Sequence, residues 1–187
     1  MAADLQGDFK HFASSNKLAK PIVISGSGSR QMYGMHHFMD HDVVMVSFNY
    51  RLSILGSLYL DKDKVPGNQM MRDQILALQW VQENVRQFGG DPGRVTIFGE
   101  SAGGMSVMNL VLSPAAKGLF SAAITMSGSP FSPFVGADKH PKYYADKVVE
   151  KFGGDPRSSV DEKLTLLQSI DAGDFGRETN MFEEFVR

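Results

Sequence analysis

A serine flanked by glycines is the residue of this chain best placed for nucleophilic chemistry. Residues 94–112 read RVTIFGESAGGMSVMNLVL, so a short apolar run precedes Ser101 and a helix-forming run follows it. A serine at a sharp turn between a strand and a helix projects its hydroxyl out of the sheet, and the backbone N–H groups of the helix point towards it. We therefore predict that Ser101 is a catalytic nucleophile in a nucleophile elbow, with Gly99, Glu100 and Gly103 as the other elbow residues.

The bare Gly-x-Ser-x-Gly pattern is weakly specific, because 19 of the 187 residues are glycine. Its context is more informative. Residues 95–98 favour a strand, and Gly99 and Gly103 leave room where that strand and the following helix cross. The alternative interpretation is that Ser101 merely caps a helix. Ser101→Ala separates the two, because the loss of a cap costs about 1 kcal/mol of stability and removes no chemistry.

Composition limits the classes of partner. With 42% hydrophobic and 21% charged residues, the 187-residue chain can form one sizeable core. The net charge of -2 and the scattered basic residues predict no nucleic-acid binding. Apolar runs such as 43–46 are too short to cross a bilayer, so we predict no membrane span. The chain has no cysteine and a polar start without a signal peptide, which slightly favours the cytoplasm and leaves the oligomeric state open.

The order of the predicted elements indicates an α/β fold. Apolar runs at 21–24, 43–49, 95–98 and 122–126 suit strands of a mostly parallel sheet that helices cover on both faces. Residues 70–88 form the strongest predicted helix, because apolar residues recur every three or four positions while Gln74 and other polar residues fall between them. Further helices are predicted at 143–152 and 162–170, and the alternation of strand and helix sets the class.

Seven segments in this order resemble the carboxylesterase type B, or cholinesterase-like, family: NYRL at 49–52, GNQ at 67–69, DQ at 73–74, ALQWVQEN at 77–84, FGGDP at 88–92, FGESAGG at 98–104 and SGS at 127–129. The resemblance covers roughly residues 26–128. It implies an α/β-hydrolase fold and cleavage of small-molecule carboxylic esters through a serine acyl-enzyme. We predict no cofactor.

The resemblance also assigns roles within the elbow. Ser101 matches the family's nucleophile, and Ala102 matches the residue whose backbone N–H donates to the oxyanion. Glu100 matches the acidic residue that precedes the serine.

The remaining members of a catalytic triad do not match. In this fold an acid and a histidine follow the serine along the chain. His140 is the histidine downstream of Ser101, and it lies two residues after Asp138 in a segment unlike the family's histidine segment. We predict that both are surface loop residues.

The other histidines precede the elbow and are interpreted as loop or solvent-facing residues: His11, His36, His37 and His41. A metal cluster of the last three would lack any supporting carboxylate or cysteine pattern, so no metal site is predicted.

The oxyanion loop also departs from the family, which uses N–H groups of a His-Gly-Gly-Gly loop after an early strand. That tetrapeptide is absent from this chain. Gly26 and Gly28 follow the corresponding strand and are weak candidates for substitute donors.

We therefore interpret residues 1–20 as a poorly determined lead-in. Residues 21–187 are interpreted as a partial α/β-hydrolase domain that is truncated before the acid and histidine of the triad. The predicted function is serine carboxylic ester hydrolysis, with a fragment that is inactive alone. The alternatives are a non-catalytic binding or adhesion protein of the same fold and a truncated product without activity.

Overall fold

A computed structural model describes residues 18–22, 38–131 and 140–177. Contacts divide the chain into two compact units, one made of Met1–Asn49 and Gln74–Pro130 and the other of Tyr50–Asp73 and Phe131–Arg187. In chain order the described strands and α-helices are β1 (Leu18–Ile22), β2 (Val43–Ser47), α1 (Ser53–Ser57), α2 (Gln69–Asn84), β3 (Thr96–Glu100), α3 (Ala102–Leu112), β4 (Ala122–Met126), α4 (Pro141–Lys151), α5 (Val160–Ser169) and α6 (Ala172–Arg177).

The first unit contains a four-stranded parallel sheet in the order β2-β1-β3-β4. Strand β1 pairs with β2 from Leu18↔Val43 to Ile22↔Ser47, and β3 pairs with β4 from Thr96↔Ala122 to Glu100↔Met126. Its apolar core includes Met45, Leu78 and Ile97, each fully buried. This parallel sheet with connecting helices confirms the predicted α/β class.

The strand bounds differ from the predicted ones where apolar content is a poor guide. Strand β1 begins at Leu18, three residues before the predicted run, and residues 23 and 24 of that run lie outside the described residues. Pairing with β2 fixes this start, because backbone hydrogen bonds do not depend on the polarity of Lys20.

The predicted helix at 70–88 is confirmed as α2, which continues into a 3₁₀ turn at Val85–Phe88. Gly89 ends it with φ of 80°, a left-handed conformation that glycine adopts without strain. One assignment within the helix was wrong: Gln74, predicted on the polar face, is fully buried.

Strand β4 lies at the end of the sheet, where β3 is its hydrogen-bonded neighbour within the described residues. All five of its residues are exposed, unlike those of β2, which are buried or half-buried. We predicted that helices cover both faces of the sheet. Within the described part of the chain, helices do not cover both faces of β4.

The second unit is helical. It packs α1, α4, α5 and α6 around a core of Ile54, Leu60, Ala145, Val148, Val149, Leu167 and Phe175. The predicted helices at 143–152 and 162–170 are confirmed as α4 and α5, whereas α1 and α6 were not predicted. Among the described helices, none combines the length and the apolar character that a membrane span requires.

Candidate functional site

Ser101 lies in the turn that joins β3 to α3, with its side chain exposed. Its backbone has φ of 55° and ψ of -116°. A residue that carries a Cβ atom rarely adopts this conformation, and it costs about 1–3 kcal/mol. The Ser101 side chain makes no capping hydrogen bond to α3. The interpretation of Ser101 as a simple helix cap therefore has no hydrogen bond to support it.

Two backbone hydrogen bonds hold the turn. The Ser101 N–H donates to the Met126 carbonyl at 2.8 Å, and the Met105 N–H donates to the Ser101 carbonyl at 3.0 Å. Ala102 is the first residue of α3, so its N–H has no acceptor within the helix. It is therefore available, at the positive end of the helix dipole, to an anion beside Ser101.

The turn packs directly against the chain that follows β4. A Cβ atom added to Gly128 would lie 2.2 Å from the Ser101 carbonyl oxygen and 2.6 Å from the Met105 nitrogen. One added to Gly104 would lie 2.9 Å from the Met126 carbonyl oxygen. Glycine is therefore required at both positions for the backbones to approach this closely.

Sequence reasoning missed the structural role of Gly104 and Gly128. Both lie in segments that carry the family resemblance, FGESAGG and SGS, and this was the one available signal. The predicted elbow glycines Gly99 and Gly103 are buried, and Glu100 is exposed at the end of β3. Their functional roles stay predictions, as does that of Ala102.

A buried polar contact links α2 to α3. Gln74 of α2 is fully buried, and its Nε2 donates to Ser106 Oγ of α3 at 3.4 Å. The other amide atom, Oε1, is buried without a hydrogen-bond partner among the described residues.

His41 is not placed as a base for Ser101, which lies in the same unit. Ile22 of β1 is level with both Ser47 and Phe98, so Val43 and Glu100 are separated by six residues of parallel strand, roughly 20 Å. His41 precedes Val43 and therefore lies at the amino ends of the parallel strands, whereas Ser101 follows the carboxyl end of β3.

His140 belongs to the second unit, where its Nδ1 accepts a hydrogen bond from the Lys142 N–H at 3.2 Å and caps α4. Its ring also contacts the edge of Tyr59, with centroids 5.6 Å apart. The exposed position of His140 agrees with the predicted surface location.

Several predicted residues lie outside the described ranges: Gly26, Gly28, His11, His36, His37 and Asp138. Within the ranges that the structure covers, no group of three histidine, cysteine, aspartate or glutamate side chains is arranged to bind a metal.

Ion pairs organise the second unit. Arg51 binds Asp73 through Nε–Oδ2 at 2.8 Å and Nη2–Oδ1 at 2.6 Å, and its backbone N–H donates to the same carboxylate at 3.0 Å. These hydrogen bonds from the guanidinium lower the pKa of Asp73 below its usual value.

A surface groove of about 720 Å³ in the second unit is lined by both lysines that bind Asp146. Lys163 and Lys142 contact the two oxygens of that carboxylate at 2.7 Å and 2.8 Å. Lys163 is almost fully buried, so Asp146 compensates its charge and links α5 to α4. This pairing gives the lysines a structural role.

The chain is similar in sequence to known esterases and lipases. A model described as "Carboxylesterase family" matches residues 23–186. The chain is 51% identical over 111 residues to Cholinesterase 1 of Branchiostoma lanceolatum, covering 59% of this chain and 31% of that protein. It is 49% identical over 112 residues to the Bile salt-activated lipase of Homo sapiens, covering 60% of this chain and 15% of that protein.

The fold is also similar to that of a solved esterase structure. The juvenile hormone esterase of Manduca sexta, with OTFP covalently attached, superposes with a TM-score of 0.84 at 32% identity, covering 93% of this chain and 34% of that one. This chain thus spans about a third or less of the length of these relatives. The family match over 23–186 and the structural match agree with the strand-turn-helix around Ser101, and the chain belongs to the carboxylesterase family.

Proposed function

We propose that this chain carries the nucleophile of a carboxylic ester hydrolase, and that Ser101 forms the acyl-enzyme. The observation that carries the proposal is the strained backbone of Ser101, an exposed residue held between β3 and α3. Strain of this kind persists where the surrounding structure holds it in place, and it concentrates at functional sites.

The proposed reaction has two halves. The Ser101 hydroxyl oxygen attacks the carbonyl carbon of the ester while a base takes the hydroxyl proton, and the alcohol then leaves with a proton returned by that base. Water attacks the acyl-serine in the same manner and releases the acid. During each attack the carbonyl oxygen becomes negatively charged, and we assign the Ala102 N–H as a donor to it. Gly26 and Gly28 stay candidates for additional donors.

The relatives support this chemistry. The Manduca sexta esterase carries a covalently attached ligand, which is consistent with covalent catalysis in the family. The named relatives also include a lipase and a cholinesterase, and both names are consistent with small-molecule carboxylic esters as the substrate class.

We further propose that the base is not among the described residues. His41 lies at the amino ends of the parallel strands, and the Nδ1 atom of His140 is engaged as a helix cap. The described residues would then hold the nucleophile half of a triad, and removal of the base lowers turnover by about a millionfold in enzymes of this type.

Added imidazole tests both parts of the proposal. Hydrolysis of a 4-nitrophenyl ester is followed for the wild-type chain and for Ser101→Ala across a series of imidazole concentrations. The variant measures the reaction of imidazole alone. We expect the wild-type excess over the variant to be close to zero without imidazole and to rise about tenfold or more with it. A positioned base contributes about a hundredfold or more, and free imidazole recovers part of that contribution by taking the Ser101 hydroxyl proton.

The outcomes are distinct. No excess over Ser101→Ala at any imidazole concentration would overturn the assignment of the nucleophile. Robust turnover without imidazole that Ser101→Ala abolishes would support the nucleophile and overturn the expectation that Ser101 lacks a base unless imidazole is added.

A further inference from the structure

The buried amide of Gln74 contacts α3 one helical turn after the proposed oxyanion donor. Ser106 lies four residues after Ala102, so both lie on the same side of α3 and about 6 Å apart along its axis. The hydrogen bond from Gln74 Nε2 to Ser106 Oγ is a polar contact between α2 and α3.

The Gln74 amide is a polar group among buried side chains. Gln74 is fully buried and its Oε1 has no hydrogen-bond partner among the described residues. A methionine of similar volume would fill the same space without an unpaired polar atom. Apolar packing alone therefore does not account for a glutamine at this position.

We propose that Gln74 is a positioning residue that sets the rotation of α3 through Ser106, and thereby the direction of the Ala102 N–H. This inference rests on the proposed function. The Cα atoms lie about 2.3 Å from a helix axis, so a rotation of about 20° would move the Ala102 Cα atom by about 0.8 Å and would turn its N–H by the same angle. A misplacement of about 1 Å at a reacting group can cost roughly a hundredfold in rate.

The opposite side of α3 gives a reason why a rotational contact is needed. There Gly104 and Gly128 approach backbone to backbone, without side chains that could interlock. The hydrogen bonds of Ser101 and Met105 fix the turn itself but act at its end. The Gln74–Ser106 contact adds a directional restraint from the α2 side.

The first experiment does not depend on activity. Amide hydrogen exchange is measured on the whole chain for Gln74→Met and Ser106→Ala. We expect the Ser101 and Met105 amides to exchange at least tenfold faster in each variant, because they donate the two hydrogen bonds that hold the turn, to the Met126 and Ser101 carbonyls. The Gly90 amide, which donates to Val85 at 3.0 Å, serves as the reference and should keep its rate.

A matched control lies on the same helix. Gln82 of α2 donates to the Pro92 and Leu119 carbonyls, both at 2.9 Å, and neither acceptor lies on α3. Gln82→Met should leave the ratio of Ser101 to Gly90 exchange rates unchanged. The double variant Gln74→Met/Ser106→Ala should show no greater acceleration than either single variant, because both act through one contact.

The second experiment measures the imidazole-dependent reaction of Ser101. In Gln74→Met we expect the maximal rate to fall at least tenfold, while the ester concentration that gives half of that rate is unchanged. A loss of folded protein would lower the amplitude of the exchange and activity signals together, so it is separable from this result.

The inference is overturned if the Ser101 and Met105 amides keep their wild-type rates in both variants, or if all three amides accelerate equally. The first result would mean that the contact does not restrain the turn, and the second that Gln74 serves global stability alone. If the wild-type chain shows no Ser101-dependent reaction, the proposed function fails while the exchange experiment still decides the restraint.

Discussion

Replacing Ser101 by glycine should stabilise the protein. The Ser101 backbone, at φ of 55° and ψ of -116°, carries a strain of about 1–3 kcal/mol that glycine does not have. Glycine also gives the unfolded chain more freedom, which offsets about 0.4–1 kcal/mol. We therefore expect a net gain of about 0.5–2 kcal/mol, or a rise in Tm of roughly 1–8 °C for a chain of this size.

Ser101→Ala is the matched control, because it removes the hydroxyl but keeps the Cβ atom and hence the strain. The hydroxyl is exposed and makes no capping hydrogen bond. Its loss should change the free energy of unfolding by less than about 0.5 kcal/mol. Both variants should lose the proposed reaction, so the contrast in stability isolates the backbone.

The assay is urea unfolding of the three proteins, followed by tryptophan fluorescence and by circular dichroism. Coincident transitions from the two probes justify a two-state treatment. The reasoning is refuted if Ser101→Gly is less stable than the wild type, or if Ser101→Ala and Ser101→Gly have the same free energy of unfolding.

Three further predictions concern the surroundings of the turn and the second unit. Gly128→Ala should destabilise the fold by about 3 kcal/mol in thermal melts, because the neighbouring backbone atoms cannot move away from the added methyl group. In the same melts Gly93→Ala should change the stability little, because the nearest atom to its added methyl group is a side-chain oxygen at 3.3 Å. Hydrogen bonds from Arg51 lower the pKa of Asp73 in the folded protein, so the ion pair stabilises the fold above about pH 4, and this contribution is lost as the pH falls further. Asp73→Asn should therefore flatten the dependence of the unfolding midpoint on pH in that acid range. An unchanged slope would contradict the assignment. Ser159 accepts the Glu162 N–H and its own N–H donates to the Glu162 carboxylate, so Ser159→Ala should cost about 1 kcal/mol in urea unfolding, and a loss below the error of the measurement would count against this cap.

The sequence predicted elements whose signal is local. Helix α2 was found within a residue at its start, because its apolar residues repeat over four turns and Gly89 marks its end. The turn at Ser101 was found because a strand-forming run, a serine between glycines and a helix-forming run are adjacent in the chain. Helices α1 and α6 are five and six residues long, too short for a helical period to emerge.

What could not be predicted depends on contacts between distant residues. Ser101 and Gly128 are 27 residues apart in the sequence, and nothing local to Gly128 indicates that its backbone contacts the Ser101 carbonyl. Gln74 is polar and was therefore placed on the exposed face, but its partner Ser106 is 32 residues away. The start of β1 depends likewise on its pairing with β2.

The most direct test of the central claim is a map of where a serine-reactive fluorophosphonate attaches to the folded chain. Peptide mass spectrometry after reaction with and without imidazole gives both the site and the dependence on a base. The account predicts a phosphonyl group on Ser101 that forms faster with imidazole and is absent from Ser101→Ala. Attachment at another residue that persists in that variant, or no attachment at Ser101 even with imidazole, would contradict it.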